Sequence, residues 1–194
     1  MFERLRELLH EAWRPVLGWH LAVASLGFAW IMYVHKTAPS GWVRIIDDAN
    51  LVFHEAGHPI FGLFFGSTLG LYGGTLGQLA IPFGIAVAFW VKREAVGFAV
   101  TGFWFSENFL NIARYMADAR AQVLPLVGGG EHDWTNIFSR WGVLASDTTI
   151  AGFAAGLGWL GMIGAWGWLG WHWLASRADQ QDEAVDIPSR WNAR

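Results

Sequence analysis

Residues 51–65 read LVFHEAGHPIFGLFF, an apolar run interrupted by His54, Glu55 and His58. Four residues make about one helical turn, so on a helix both histidines project from one face and can chelate a single ion. Glu55 lies one step round, where it can take a proton from an attacking water instead of binding the metal. Imidazoles and a carboxylate in an apolar helix are costly unless they face a partner or a wet cavity. The run therefore reads as a functional helix, and the flanking sequence decides what kind of protein carries it.

Of the 194 residues, 54% are hydrophobic and only 15% charged, whereas soluble domains carry about a quarter charged residues. The charges gather near the termini and in short connections. The 24 glycines and 14 tryptophans suit close helix approach and headgroup anchoring in a lipid bilayer. These features predict an all-α, polytopic transmembrane bundle in one domain. Cysteine is absent, which excludes disulfides and thiolate metal sites and leaves His, Asp, Glu or Asn as donors. A net charge of −3 gives no basis for a nucleic-acid partner.

A membrane span needs roughly 20 mostly apolar residues. The stretch 1–15, MFERLRELLHEAWRP, reads as an interfacial amphipathic helix with Phe2, Leu5, Leu8, Leu9 and Trp13 on one side. It lacks the features of a signal peptide. The transmembrane domain is expected over 16–174, with spans at 16–34, 41–65, 78–91, 95–117 and 150–174. Between the second and third, 66–77 (GSTLGLYGGTLG) reads as a loop, a hairpin or a re-entrant turn. Pro82 kinks the third span. The connection 123–148 contains a short surface helix around TNIFSRWG, and 175–194 is a polar tail. Along the fifth span Gly158, Gly161, Gly164, Gly167 and Gly170 recur every third residue, and Trp159, Trp166 and Trp173 every seventh. That texture suits packing within the chain or against a partner subunit.

Two histidines need a third protein ligand beside an open position for hydrolysis. Asn111, Tyr115 and Asp118 share a face of the fourth span by their spacing. If the second helix starts near Ser40, HEAGH and Asp118 fall on the same side of the bundle, which favours Asp118 as the third ligand. A start at Asn50 brings Glu107 or Asn108 nearer, and GGGEHDW offers Glu131, His132 and Asp133. Asn111 is placed to steady an oxyanion. His20 and His172 stand singly in the first and fifth spans, as helix–helix hydrogen-bonding groups or pigment ligands.

An HExxH in a membrane helix followed two helices later by an aspartate resembles the site-2 protease class of intramembrane zinc metalloproteases. The combination of HEAGH, DAR and GGGEHDW also resembles that of a group of bacterial membrane proteins. The class has a Gly-rich segment after its motif helix, which YGGTLGQ matches. It sets its aspartate in an asparagine- and proline-rich LDG segment, whereas here the context is ADARAQVLPLVGGGEHDW. The resemblance implies one zinc per chain held by His54, His58 and Asp118, with Glu55 as catalytic base. It also implies a membrane protein or peptide substrate and residence in a bacterial inner membrane. No accessory substrate-recognition domain is visible. With the Gly/Trp-striped fifth span, that motivates a second expectation: a non-catalytic, protease-derived subunit of a larger energy-transducing or pigment-binding membrane complex.

Overall fold

The computed structural model describes residues 11–38, 40–127 and 130–191. Among them there are six α-helices and no strand: α1 (Gly18–Thr37), α2 (Ile46–Phe65), α3 (Ser67–Val91), α4 (Ala95–Ala117), α5 (Asp133–Trp141) and α6 (Asp147–Trp191), with a 3-10 turn at Leu144–Ser146 before α6. Two stretches are long and apolar enough to cross a membrane, Ser67–Val91 and Leu144–Ala178.

Helices α2 and α3 form a hairpin that turns on the single residue Gly66. Its φ of 88° lies in the region that a Cβ disfavours, so only glycine reverses the chain there without strain. The Gly-rich stretch 66–77 departs from the expected loop or re-entrant turn. Its residues from Ser67 onward belong to one continuous helix that runs to Val91. The reason is steric. A Cβ on Gly73 would lie 2.5 Å from the Gly57 carbonyl oxygen, and one on Gly77 would lie 2.5 Å from the Phe53 carbonyl oxygen. The glycines form a seam along which two helix backbones touch, as small residues do in membrane bundles.

Helix α4 packs against both α3 and α6. Gly158 and Gly161 of α6 face Ser106 and Leu110 of α4, and a Cβ on Gly158 would stand 2.9 Å from the Ser106 carbonyl oxygen. The tryptophans spaced by seven in α6 turn towards α1. Lys36 lies 4.8 Å from the Trp159 ring, Trp166 Nε1 donates to Ser25 Oγ at 2.9 Å, and Trp173 approaches Gly18. Phe28 of α1 stacks on Phe103 of α4 at 3.9 Å, inside a core that includes Ala99, Met162 and Leu169.

Three expected boundaries change. Residues 41–45 precede α2 and are not helical. The expected polar tail is helical through Trp191, as the continuation of α6. Of the expected interfacial helix, residues 1–10 lie outside the described residues, and 11–15 are not helical.

Helix α5 is short and is held by its apolar side. Ile137 and Phe138 are fully buried and Trp134 nearly so, packed with Ile112 of α4 and Ala119. Burying such side chains contributes about 1.5–3 kcal/mol each, enough to fix the N-terminus of α5. Its cap is His132, whose Nδ1 accepts the Thr135 N–H at 3.2 Å.

Candidate metal centre

Three side chains converge where α2, α3 and the start of α5 meet. His54 Nε2 stands 3.0 Å and His58 Nε2 3.2 Å from the same oxygen, Asp133 Oδ2. One ligand atom from each residue lies within 4.8 Å of the others. His54 is buried and His58 half-buried.

The other ring nitrogens explain the orientation. His58 Nδ1 lies 2.8 Å from the Gly70 carbonyl oxygen. A carbonyl only accepts, so Nδ1 carries the proton. His54 Nδ1 lies 2.9 Å from Gln78 Oε1, and with the amide oxygen turned to the ring the same holds there. Both Nε2 atoms then face a carboxylate oxygen. Such a cluster needs a cation among its atoms, either a proton on an imidazole or a metal ion, and metal-binding histidines are oriented by acceptors of this kind. The glycine seam supplies the space, because a Cβ on Gly74 would land on the His54 imidazole. The residues fit a metal ion. Two nitrogens and one oxygen make the three-ligand set that leaves a position open for water or substrate.

Electrostatics agree with this placement. Protonated imidazoles can take the cation's part: burial alone pushes the Asp133 carboxyl upward, but hydrogen bonds and charge from His54 and His58 in that form outweigh it and hold it below the ordinary carboxylate value. The first turn of a helix also suits an anion. Burial pushes the neighbouring His132 downward, against the opposing charge of Asp118.

The expected site residues divide. His54 and His58 stand together, and half-buried Glu55 lines the same cavity of about 880 Å³. Asp118, expected as third ligand, is turned to the following loop. Its two carboxylate oxygens accept the Val123 and Leu124 N–H groups at 3.0 and 3.1 Å. His132 Nε2 stands 3.3 Å from Asp118 without hydrogen-bond alignment. Asp133, one of the alternatives in GGGEHDW, stands with the two histidines instead. Asn111 lines the cavity, yet its amide Nδ2 already donates to Asp47 Oδ1 at 2.9 Å. Glu107 belongs to a separate buried group with His35 and Asn50. His20 Nδ1 accepts the Leu17 N–H at 3.1 Å, and His172 packs among Trp13, Trp168 and Trp171.

Sequence reasoning did not single out Gln78, Gly70 or His35. Gln78 carried a signal, as the lone amide opening an apolar run. Gly70 carried none, because it acts through its backbone carbonyl. The chain matches no protein-family model, no curated protein and no solved structure.

Proposed function

We propose that this chain is an integral membrane metallohydrolase that cleaves peptide bonds of membrane proteins, similar to the site-2 protease class. The observation that carries it is the convergence of two hydrogen-bond-oriented histidines and Asp133 beside Glu55 in one cavity. Membrane integration is supported by apolar surface. Leu26, Leu63, Phe153 and Leu160 are each 69–81% exposed, and only 22% of each span-like window is buried within the protein. A bilayer is the solvent that such a surface suits. In this reading α1, α2, α3, α4 and α6 supply five crossings, and a bacterial inner membrane is the expected location.

His54, His58 and Asp133 would hold one zinc ion, which supplies Lewis acidity and lowers the pKa of water. Glu55 takes one proton as the water oxygen adds to the peptide carbonyl carbon. It returns that proton to the departing nitrogen as the C–N bond breaks, leaving a carboxylic acid and an amine. Gln78 and the Gly70 carbonyl hold the two rings in place throughout. The apolar wall formed by Leu71, Leu124, Leu126 and Trp134 suits the side chains of a membrane-derived segment.

A second reading, a non-catalytic subunit of a larger membrane complex, draws on Gly164, Gly167 and Gly170, whose Cβ positions face open space. One experiment separates the two. Protein purified in mild detergent is assayed for metal and for co-purifying peptides, as wild type and as Glu55→Gln. The hydrolase reading expects about one metal per chain in both and a trapped membrane peptide enriched in Glu55→Gln. Wild-type protein without transition metal sinks it. So do stable partners whose abundance ignores Glu55, with no trapped peptide.

A further inference from the structure

An oxyanion needs a donor that is free, close to the metal ligands and aimed into the cavity. Asn111 meets only part of this, since Asp47 takes one of its two amide hydrogens. Tyr115, one turn further along α4, meets all of it. Its hydroxyl oxygen accepts the Asp133 backbone N–H at 3.1 Å, which anchors the phenol beside the carboxylate that faces both histidines. Its ring meets the His54 ring edge-on at 5.8 Å and packs on His132 at 4.2 Å. These contacts leave the ring one position. A phenol carries one donor and can also accept. The acceptor role is used by Asp133, and among the described residues the hydroxyl hydrogen has no acceptor. Tyr115 also lines the cavity, together with Glu55.

We propose that Tyr115 is a catalytic residue whose phenolic hydrogen bonds the carbonyl oxygen of the substrate as negative charge develops on it. Glu55 and Tyr115 then divide the work: one carboxylate moves the proton of water, and one hydroxyl holds the oxyanion. The same phenol secures Asp133 by accepting its N–H, so ligand placement and oxyanion binding share one side chain. This inference rests on the hydrolase reading and adds the donor that reading lacks.

The test uses full-length protein loaded with cobalt, whose visible spectrum reports the ligand set, and dimethylphosphinate as a tetrahedral anion probe. The expected result for Tyr115→Phe is wild-type cobalt stoichiometry and spectrum, with phosphinate affinity weakened about 10- to 100-fold, the size of one hydrogen bond to a charged oxygen. Asn111→Ala should bind the probe as wild type does. Unchanged phosphinate affinity in Tyr115→Phe overturns the proposal. So does loss of cobalt, which would reduce the phenol to a prop for Asp133. If Asn111→Ala weakens the probe and Tyr115→Phe does not, Asn111 is the donor. The hydrolase reading fails separately, by wild-type protein that binds cobalt yet neither takes the phosphinate nor traps a peptide as Glu55→Gln.

Discussion

Two of the buried polar groups among the described residues are built on opposite principles. Around Glu107 every carboxylate oxygen has a donor. His35 Nε2 faces Oε1 at 3.0 Å, Asn50 Nδ2 reaches Oε2 at 3.1 Å, and Trp104 Nε1 closes on Asn50 Oδ1 at 2.8 Å. Neighbouring Asp47 is matched in the same way, by Val43 N–H at 2.5 Å and by Asn111. Around His54 two ring nitrogens instead converge on one carboxylate oxygen. A network whose donors and acceptors cancel is a strut that ties α1, α2 and α4 together. One whose ligand atoms converge can hold an ion. Burial and residue type do not separate the two, since both combine histidine with carboxylate in apolar surroundings.

The largest effect expected from this contrast is on metal. His54→Ala or His58→Ala should abolish binding, and Asp133→Asn should weaken it far more than Asp118→Asn, as read by elemental analysis and competition with a chelator. Metal lost with Asp118→Asn and kept with Asp133→Asn would reverse the assignment of the third ligand. Glu107→Ala should leave metal per folded protein unchanged but destabilise the bundle by about 3–5 kcal/mol, because His35 and Asn50 lose their partner. Denaturation in detergent measures this, and a variant as stable as wild type removes the strut.

Gln78→Leu tests the orienting bond and should cost about 10- to 100-fold in metal affinity with the fold retained. An unchanged affinity would mean that Gly70 alone sets the geometry.

The smallest effect concerns α6. Arg120 reaches Asp147 Oδ1 through Nε and Nη2 at 2.8 and 2.7 Å, and this hydrogen bond holds the Asp147 carboxyl below its ordinary value of 3.8. A lowered folded-state value means that the contribution is complete above pH 3.8 and fades as acid takes the pH through the folded value. Asp147→Asn should therefore lower the melting temperature slightly at neutral pH and leave it unchanged in strong acid. A difference that grows on acidification would contradict the pairing.

The reach of the sequence follows from the range of each interaction. His54 and His58 were legible because their relation is local, one turn of one helix. The all-helical fold was legible from the apolar runs and their length. Residues 66–77 were not, since glycine signals flexibility when alone and close packing when another glycine faces it, and Gly57 lies on a different helix. Asp133 was legible only as one option of several. A residue at the end of a long connection can be placed on one side of a bundle, but not in one position. Asp118 looked better because it ends a helix that passes the site, yet the loop that follows has N–H groups needing acceptors, and those of Val123 and Leu124 take both its oxygens. Asn111 has one of its two amide hydrogens committed in a similar way, to Asp47.

The glycine seam has a consequence for the order in which the protein matures. The hairpin of α2 and α3 holds His54 and His58 and both groups that orient them, all within residues 54–78. Asp133 comes from a different part of the chain and reaches its place only once α4 and α5 have docked. During synthesis the nascent hairpin can offer an incoming ion two nitrogens, a loose and reversible grip, and the carboxylate arrives about 55 residues later in the chain. On the metallohydrolase reading, tight retention would then report that assembly is complete, and a chain arrested before α5 docks would exchange metal freely with the surroundings.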